Sequence, residues 1–256
     1  MSTSQTAPCV ITVDQADLPH RSAAVVVRDL AAVSMHAHHL ADSSPRGPQK
    51  GPPFTASQLI EALEASSPKA RDAAFLAGRC RAPDPSDDQA LVEALRGAMR
   101  TNDSARTKAE AAMSLVLRGE DREESHRVLL QAASGPLGEH PWIAAGYAAQ
   151  LGDGSGWPTL ERALAPDAIL ATRASAARIL VDFVPLNGEK VGTTKIDPFG
   201  AMARLTEDGD PGMRQAIVGI LVEAAHPDAR SLLTRLETDD HDSVSLLARN
   251  ALQRLR

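Results

Sequence analysis

The stretch "ATRASAARILVDF", residues 171–183, is the part of the chain that decides the fold. Small and branched apolar residues fall at helical spacing along one side of it, and one arginine, Arg173, lies near its start. A helix whose buried side is mostly alanine approaches its neighbours closely, and leucine fills the remaining space. The stretch therefore predicts an α-helix packed tightly against other helices.

Helices of this kind recur after residue 54. Periodicity and capping residues predict five helix pairs, preceded by a helix at 55–66 and followed by one at 243–256. The predicted first helices of the pairs are residues 68–80, 104–119, 140–152, 171–183 and 211–225. The predicted second helices are residues 87–100, 122–134, 156–166, 198–208 and 227–238.

An arginine near the start of most first helices marks an internal repeat. Arg71, Arg106, Arg173 and Arg214 are each followed, three and seven residues later, by small or apolar residues, and Trp142 has the same phase without an arginine. The steps between these positions are 35, 36, 31 and 41 residues. A repeat of this length is typical of stacked helical hairpins, in which each hairpin buries its apolar face against the next.

The pattern resembles HEAT repeats, in the short bacterial form often called PBS-lyase HEAT-like. The signature is a capping residue, then apolar-Arg-x-x-Ala-Ala-x-x-Leu, a turn and a second helix. It is clearest in "DAILATRASAARIL" (167–180) and "DGDPGMRQAIVGIL" (208–221), and weaker in "NDSARTKAEAAM" (102–113). The resemblance covers roughly residues 55–256.

This resemblance implies an all-α fold, namely a right-handed α-solenoid of HEAT-like helical hairpins. It also implies that the repeated arginine donates hydrogen bonds to an acidic residue of an adjacent turn and so joins neighbouring repeats. We therefore expect Arg106, Arg173 and Arg214 to be structural rather than ligand-binding.

The N-terminal part of the chain differs in composition. A β-like run, "CVITV" (9–13), and one helix at 22–41 are predicted there. Residues 42–54 then hold four prolines and two glycines, which rules out a regular helix or a central strand. We predict a boundary at this Pro/Gly-rich crossing, between an N-terminal helical segment (1–54) and the α-solenoid (55–256).

The composition narrows the possible functions. Hydrophobic residues make up 43% of the chain and aromatic residues only 3%, as expected for a thin core between closely packed helices. The net charge of −6 is opposite in sign to that of a typical nucleic-acid binder, so no nucleic acid is expected as a partner. No membrane-spanning run or secretory signal is recognised, and the two cysteines are too few for a disulfide framework. A cytoplasmic location is the expectation, and the excess of arginine over lysine, 22 to 5, favours a bacterial source.

The leading functional hypothesis is a non-catalytic scaffold or adaptor that binds a partner protein or peptide on the concave face of the solenoid. Second helices line that face, and a long insertion at 185–197 adds a loop that is a candidate for partner contact. The candidate partner-binding residues are Arg96, Arg100, Arg127, Arg162, Arg204, Arg235, Lys190 and Lys195. Guanidinium groups in such a strip suit an acidic peptide or another anionic ligand.

The resemblance also admits an enzymatic function. A lyase-like HEAT enzyme, or an enzyme chaperone acting on a small molecule or a protein-bound cofactor, is the alternative hypothesis. The HEAT-like metal-dependent hydroxylases carry His-Glu pairs, and no His-Glu dipeptide occurs in this sequence. No catalytic residue and no cofactor are predicted.

The cluster "MHAHH" contains the only metal-ligand candidates that the sequence suggests. His36 and His39 lie on one face of the predicted helix, and His38 lies one turn before Asp42. The expected role of the cluster is nevertheless that of a packed or solvated helix end, and no metal site is predicted.

Overall fold

The computed structural model describes residues 7–12, 18, 20, 22–41, 54–65, 68–188, 190–191 and 194–255. Within these ranges the chain forms thirteen α-helices and four strands of two residues each, so the fold is all-α, as predicted. Its internal contacts divide the chain into two compact units. The first unit comprises Met1–Leu18 and Val26–Ala144, and the second comprises Pro19–Val25 and Ala145–Arg256.

The helices in the structure match those predicted from periodicity, and their ends differ from the predicted ends by three residues at most. The first seven are α1 (Ala23–Ala41), α2 (Ala56–Glu64), α3 (Lys69–Gly78), α4 (Pro85–Thr101), α5 (Ala105–Leu117), α6 (Arg122–Ala133) and α7 (Pro141–Gln150). The other six are α8 (Trp157–Leu164), α9 (Leu170–Phe183), α10 (Pro198–Leu205), α11 (Pro211–Ala224), α12 (Ala229–Leu236) and α13 (Asp242–Arg254).

Capping side chains explain where several helices begin. Thr55 and Gln58 form a reciprocal capping box at the start of α2. Helix α4 begins two residues earlier than predicted because Asp84 accepts the backbone N–H of Ser86 at 2.8 Å, with Pro85 in the first turn. These side chains satisfy N–H groups that have no partner within the helix.

The first unit is built from two layers of helices. Helices α3 and α5 pack against each other, α4 packs against α5, α2 packs against α3 and α4, and α6 packs against α5. The repeat alanines Ala74 and Ala109 are buried between these helices, as predicted. The helices approach so closely that a Cβ atom on Gly78 of α3 would lie 2.5 Å from the Cβ of Ser114 on α5.

The second unit repeats the arrangement. Helix α9 packs against α11, which packs against α13, while α8, α10 and α12 pack beside them as the second helices. The repeat residues Ala176, Leu180 and Leu221 are buried. The few aromatic residues also enter the core, with Trp157 and Phe183 in edge-on contact at 5.4 Å between ring centroids.

Short strands complete the described chain. Strand β1 (Val10–Ile11), in the predicted β-like run, pairs antiparallel with β2 (Cys80–Arg81), so that Ile11 lies opposite Cys80. The insertion after α9 contains a small antiparallel hairpin of β3 (Lys190–Val191) and β4 (Thr194–Lys195). Helical periodicity gave no sign of β2, which directly follows α3 and exists only because β1 pairs with it.

The predicted domain boundary at residues 42–54 stays a prediction, because only Phe54 of that segment lies among the described residues.

Candidate functional site

A groove with a volume of about 650 Å³ lies between α2 and α4 in the first unit. Ile60 and Leu63 line it from α2. Ala90, Ala94 and Gly97 line it from α4, where their spacing places them on one side of the helix. A Cβ atom on Gly97 would meet no other atom within 4 Å, so this side of α4 is open. The small residues of the α4 wall suit the close approach of a packed helix.

The polar rim of this groove is acidic. Glu64 at the end of α2 and Glu93 on α4 both line it, and both side chains are exposed. Glu93 also accepts a hydrogen bond from Nη1 of Arg96 at 2.6 Å. An apolar floor with carboxylates at its edge is complementary to an apolar segment with basic side chains at its flanks.

The predicted binding arginines of α4, Arg96 and Arg100, join that helix to the start of α6. Arg96 donates hydrogen bonds to Asp121 and, at 2.8 Å, to Glu120. Arg100 forms a two-pronged pair with Glu124, at 3.1 and 2.7 Å. Both arginines therefore take part in ion pairs between successive helical hairpins, and the face they share has mixed rather than positive charge.

The other predicted binding residues are dispersed over the described surface. Arg127 on α6 and Arg162 on α8 are exposed, and Arg235 on α12 pairs with Glu207. Arg204 on α10 is exposed and borders a cleft of about 280 Å³ in the second unit. Lys195 on β4 is exposed, whereas the side chain of Lys190 lies outside what the structure describes. Contact of any of these residues with a partner stays a prediction.

In the second unit, two repeat arginines form the structural pairs that the sequence led us to expect. Arg173 pairs with Asp208. Arg214 donates from Nε and Nη2 to the two carboxylate oxygens of Asp239, at 2.8 and 2.9 Å. Burial raises the pKa of Asp208, but the hydrogen bonds from Arg173 and the backbone of Asp210, with the charges of Arg173 and Arg214, together bring that pKa below its ordinary value. Each pair links the start of one first helix to the turn before the next.

The histidine cluster packs onto α3. Nδ1 of His36 lies 2.7 Å from Oδ1 of Asp72, and its ring stacks on Phe75 with centroids 4.0 Å apart. His39 is half exposed, with Nδ1 3.9 Å from Asp72. Asp72 also accepts a hydrogen bond from Arg71 at 2.7 Å. Burial raises the pKa of Asp72, but its hydrogen bonds with His36 and Arg71 together lower that pKa by a larger amount. The carboxylate is therefore charged, and it holds α1 against α3.

His36 and His39, the weak candidates for metal ligands, thus both lie beside the carboxylate of Asp72, which Arg71 also binds. Among the described residues, no group of three or more His, Cys, Asp or Glu side chains is placed to hold a metal ion. Asp42, which was considered together with His38, lies outside the described residues.

A buried ion cluster that the sequence reasoning missed also holds α1, α3 and α5 together. Arg79, with a side chain 1% exposed, donates to Asp29 at 3.1 Å and to Glu110 at 3.3 Å, and its guanidinium lies 3.6 Å from the centre of the Phe75 ring. The sequence of α1 does indicate this cluster, because Asp29 falls on the buried stripe of the helix, one turn from both Val25 and Val33. An acid on an apolar stripe requires a buried partner.

No protein-family model matches the chain, and no curated protein matches it. No helix among the described residues is both long and apolar enough to span a membrane.

Proposed function

We propose that this protein is a non-catalytic interaction scaffold that binds a partner protein or peptide on the face formed by its second helices. The proposal includes the HEAT-like identity of the hairpins and their right-handed course. The alternation of first and second helices, the buried repeat alanines, and the arginine–carboxylate pairs between successive hairpins support it.

The single observation that carries the proposal is the open groove between α2 and α4. Its floor is apolar and its α4 wall is made of small residues, so a partner helix could approach the backbone of α4 closely at Gly97. Binding would remove this apolar surface from water, which is the main favourable contribution to most protein associations.

The partner best suited to this groove is an amphipathic helix with small or aliphatic residues on one side and Lys or Arg beside them. Glu64 and Glu93 at the rim would attract such flanking cations. The nearby arginines do not oppose them strongly, because Arg96 and Arg100 are already paired with acidic residues of the next hairpin.

The test fills the groove without disturbing the core. Gly97→Phe places a ring in the groove, and Gly219→Phe is its matched control, because Gly219 also lies within a helix, is exposed, and has open space where a Cβ would stand. Wild type and both variants are used to capture partners from lysate of the native host, and each candidate is then made and titrated as a purified protein. Circular dichroism checks that both variants keep the fold.

We expect a partner whose affinity falls by about tenfold or more with Gly97→Phe and is unchanged with Gly219→Phe. Helical peptides from that partner should carry basic residues beside their apolar side. Equal binding by the two variants, or purified candidates that bind none of the three proteins, would refute the groove as the interaction site.

A further inference from the structure

The two cysteines of the chain lie side by side in the first unit. Strand β1 pairs antiparallel with β2, so that Ile11 lies opposite Cys80. Cys9 precedes Ile11 by two residues, and in an extended chain that spacing places both side chains on the same face. The thiol of Cys9 is in hydrogen-bond contact with the thiol of Cys80. The two residues are far apart in the sequence, so the pairing of β1 with β2 is what brings them together.

Backbone hydrogen bonds on both sides of β1 hold this arrangement. The N–H of Cys9 donates to the carbonyl of Phe54 at 2.8 Å. The N–H of Thr12 donates to the carbonyl of Arg79, also at 2.8 Å. The strand has only two residues and both are exposed, so little side-chain packing opposes a small movement of it. Such a movement is what two sulfur atoms in hydrogen-bond contact need in order to approach to about 2.05 Å, the length of a disulfide bond.

The two thiols differ in exposure and in their affinity for a proton. Cys9 is half-buried, whereas Cys80 is buried and only 6% exposed. The hydrogen bond with the Cys80 thiol lowers the pKa of Cys9 by more than burial raises it, and the charge of Arg118 lowers it further. The same hydrogen bond and burial raise the pKa of Cys80. Cys9 is therefore the residue at which a thiolate forms in reach of solvent, and Cys80 keeps its proton.

Two arginines lie beside the pair of thiols. Nη1 of Arg118, whose side chain is 1% exposed, donates to the carbonyl of Cys80 at 2.7 Å. Nη1 of Arg81 donates to the same carbonyl at 3.2 Å. Two carboxylates at the start of α4 raise the pKa of Cys9, but that pKa stays below its ordinary value. A cysteine beside a guanidinium, with a lowered pKa and partial exposure, has the surroundings typical of a reactive thiol.

We propose that Cys9 and Cys80 form a reversible oxidation site, at which hydrogen peroxide converts the two thiols into a disulfide bond. The thiolate of Cys9 attacks one oxygen of the peroxide, the O–O bond breaks, and the leaving hydroxide takes up a proton to become water. The sulfur of Cys80 then attacks the sulfenic acid formed on Cys9 and loses its proton, and a second water leaves. Two thiols are thereby oxidised, and one peroxide is reduced to two water molecules.

The disulfide bond ties the N-terminal strand to the end of α3. Strand β2 directly follows α3, and β1 precedes the first helix of the chain. In the reduced protein, backbone hydrogen bonds and side-chain contacts hold β1 in place, whereas in the oxidised protein β1 cannot separate from β2. Other residues line the α2–α4 groove, so this inference does not depend on the proposed function.

The test treats the purified, reduced protein with hydrogen peroxide at neutral pH. Peptide mapping by mass spectrometry without reductant detects a bond between Cys9 and Cys80, and dimedone traps any sulfenic acid. Cys9→Ser and Cys80→Ser are treated in the same way. The control is an equimolar mixture of these two variants, in which only a bond between two chains can form. Circular dichroism checks the fold of each protein, and Cys80→Ala is used if Cys80→Ser does not fold.

Wild type should form the disulfide bond within one chain, and dithiothreitol should reverse it. Dimedone should label Cys9 of the Cys80→Ser protein at least about tenfold faster than it labels Cys80 of the Cys9→Ser protein. The mixed variants should form a bond between chains far more slowly than wild type forms its bond. The proposal is overturned if wild type gives no bond within the chain, if the two variants are labelled at equal rates, or if the mixture reacts as fast as wild type.

Discussion

Gly78 lies where α3 passes closest to α5, and replacing it tests the tight helix packing on which the fold depends. A Cβ atom at this position would lie 2.3 Å from Oγ, 2.5 Å from Cβ and 2.7 Å from Cα of Ser114. Carbon atoms pack favourably at about 3.5–4.0 Å. The Gly78→Ala protein therefore has to move the two helices apart by about 1 Å, because one of the opposing atoms belongs to the backbone.

The magnitude follows from two losses and one gain. Overpacking of this kind costs about 1–3 kcal/mol. Separation of the helices also strains the buried hydrogen bond from Oγ of Ser114 to the carbonyl of Ala74, which is 2.7 Å long, and loss of such a bond costs about 1–3 kcal/mol. Alanine gains about 0.5–1 kcal/mol over glycine within a helix. We expect a net loss of about 3 kcal/mol, within a range of about 1–5 kcal/mol, in the free energy of unfolding.

Gly97→Ala is the control, because it makes the same change within α4 where the space is open. It should stabilise the protein by about 0.5–1 kcal/mol. Urea unfolding followed by circular dichroism measures both variants, and hydrogen exchange of the α3 and α5 amides assigns the change to the first unit. Ser114→Gly should partly rescue Gly78→Ala. If Gly78→Ala is as stable as Gly97→Ala, the close approach of α3 and α5 is wrong.

Three further predictions concern polar groups. Asp29→Asn takes a carboxylate from a buried arginine and should lower the free energy of unfolding by about 3 kcal/mol in urea titrations; a loss under about 1 kcal/mol would contradict the cluster. Burial and Arg106 lower the pKa of His140 in the folded protein, so protonation of this side chain in the unfolded chain reduces the free energy of unfolding as the pH falls below about 6.5. Arg106→Gln should raise the pKa of His140 in an NMR titration. An unchanged pKa would count against the proximity of Arg106 and His140. A hydrogen bond with the Cys80 thiol lowers the pKa of Cys9, whereas that bond and burial raise the pKa of Cys80. Iodoacetamide should therefore modify Cys9 about tenfold faster than Cys80, which mass spectrometry can measure. Equal rates at the two cysteines would be inconsistent with this pairing.

The sequence predicted some features of the candidate sites and not others. It proposed Arg96 and Arg100 of a second helix as candidate partner-binding residues. It did not predict that Asp121 and Glu124 of the next helix would reach them. The groove beside Gly97 was also missed, since a glycine and two alanines on a helix surface indicate a binding surface only when a neighbouring helix makes the opposite wall.

The sequence by itself determined the thirteen helices of the described residues and the small and apolar repeat positions where the first helices are buried. These features are encoded locally, because a helix forms and exposes its sides according to residues three or four positions apart. Tertiary structure decided which charges meet, since Asp29 and Arg79 are 50 residues apart and Arg96 and Asp121 are 25 residues apart. It also decided which arginine each turn carboxylate meets, Arg173 for Asp208 and Arg214 for Asp239, because the partner of a turn residue is set by the stacking of helices and not by the turn.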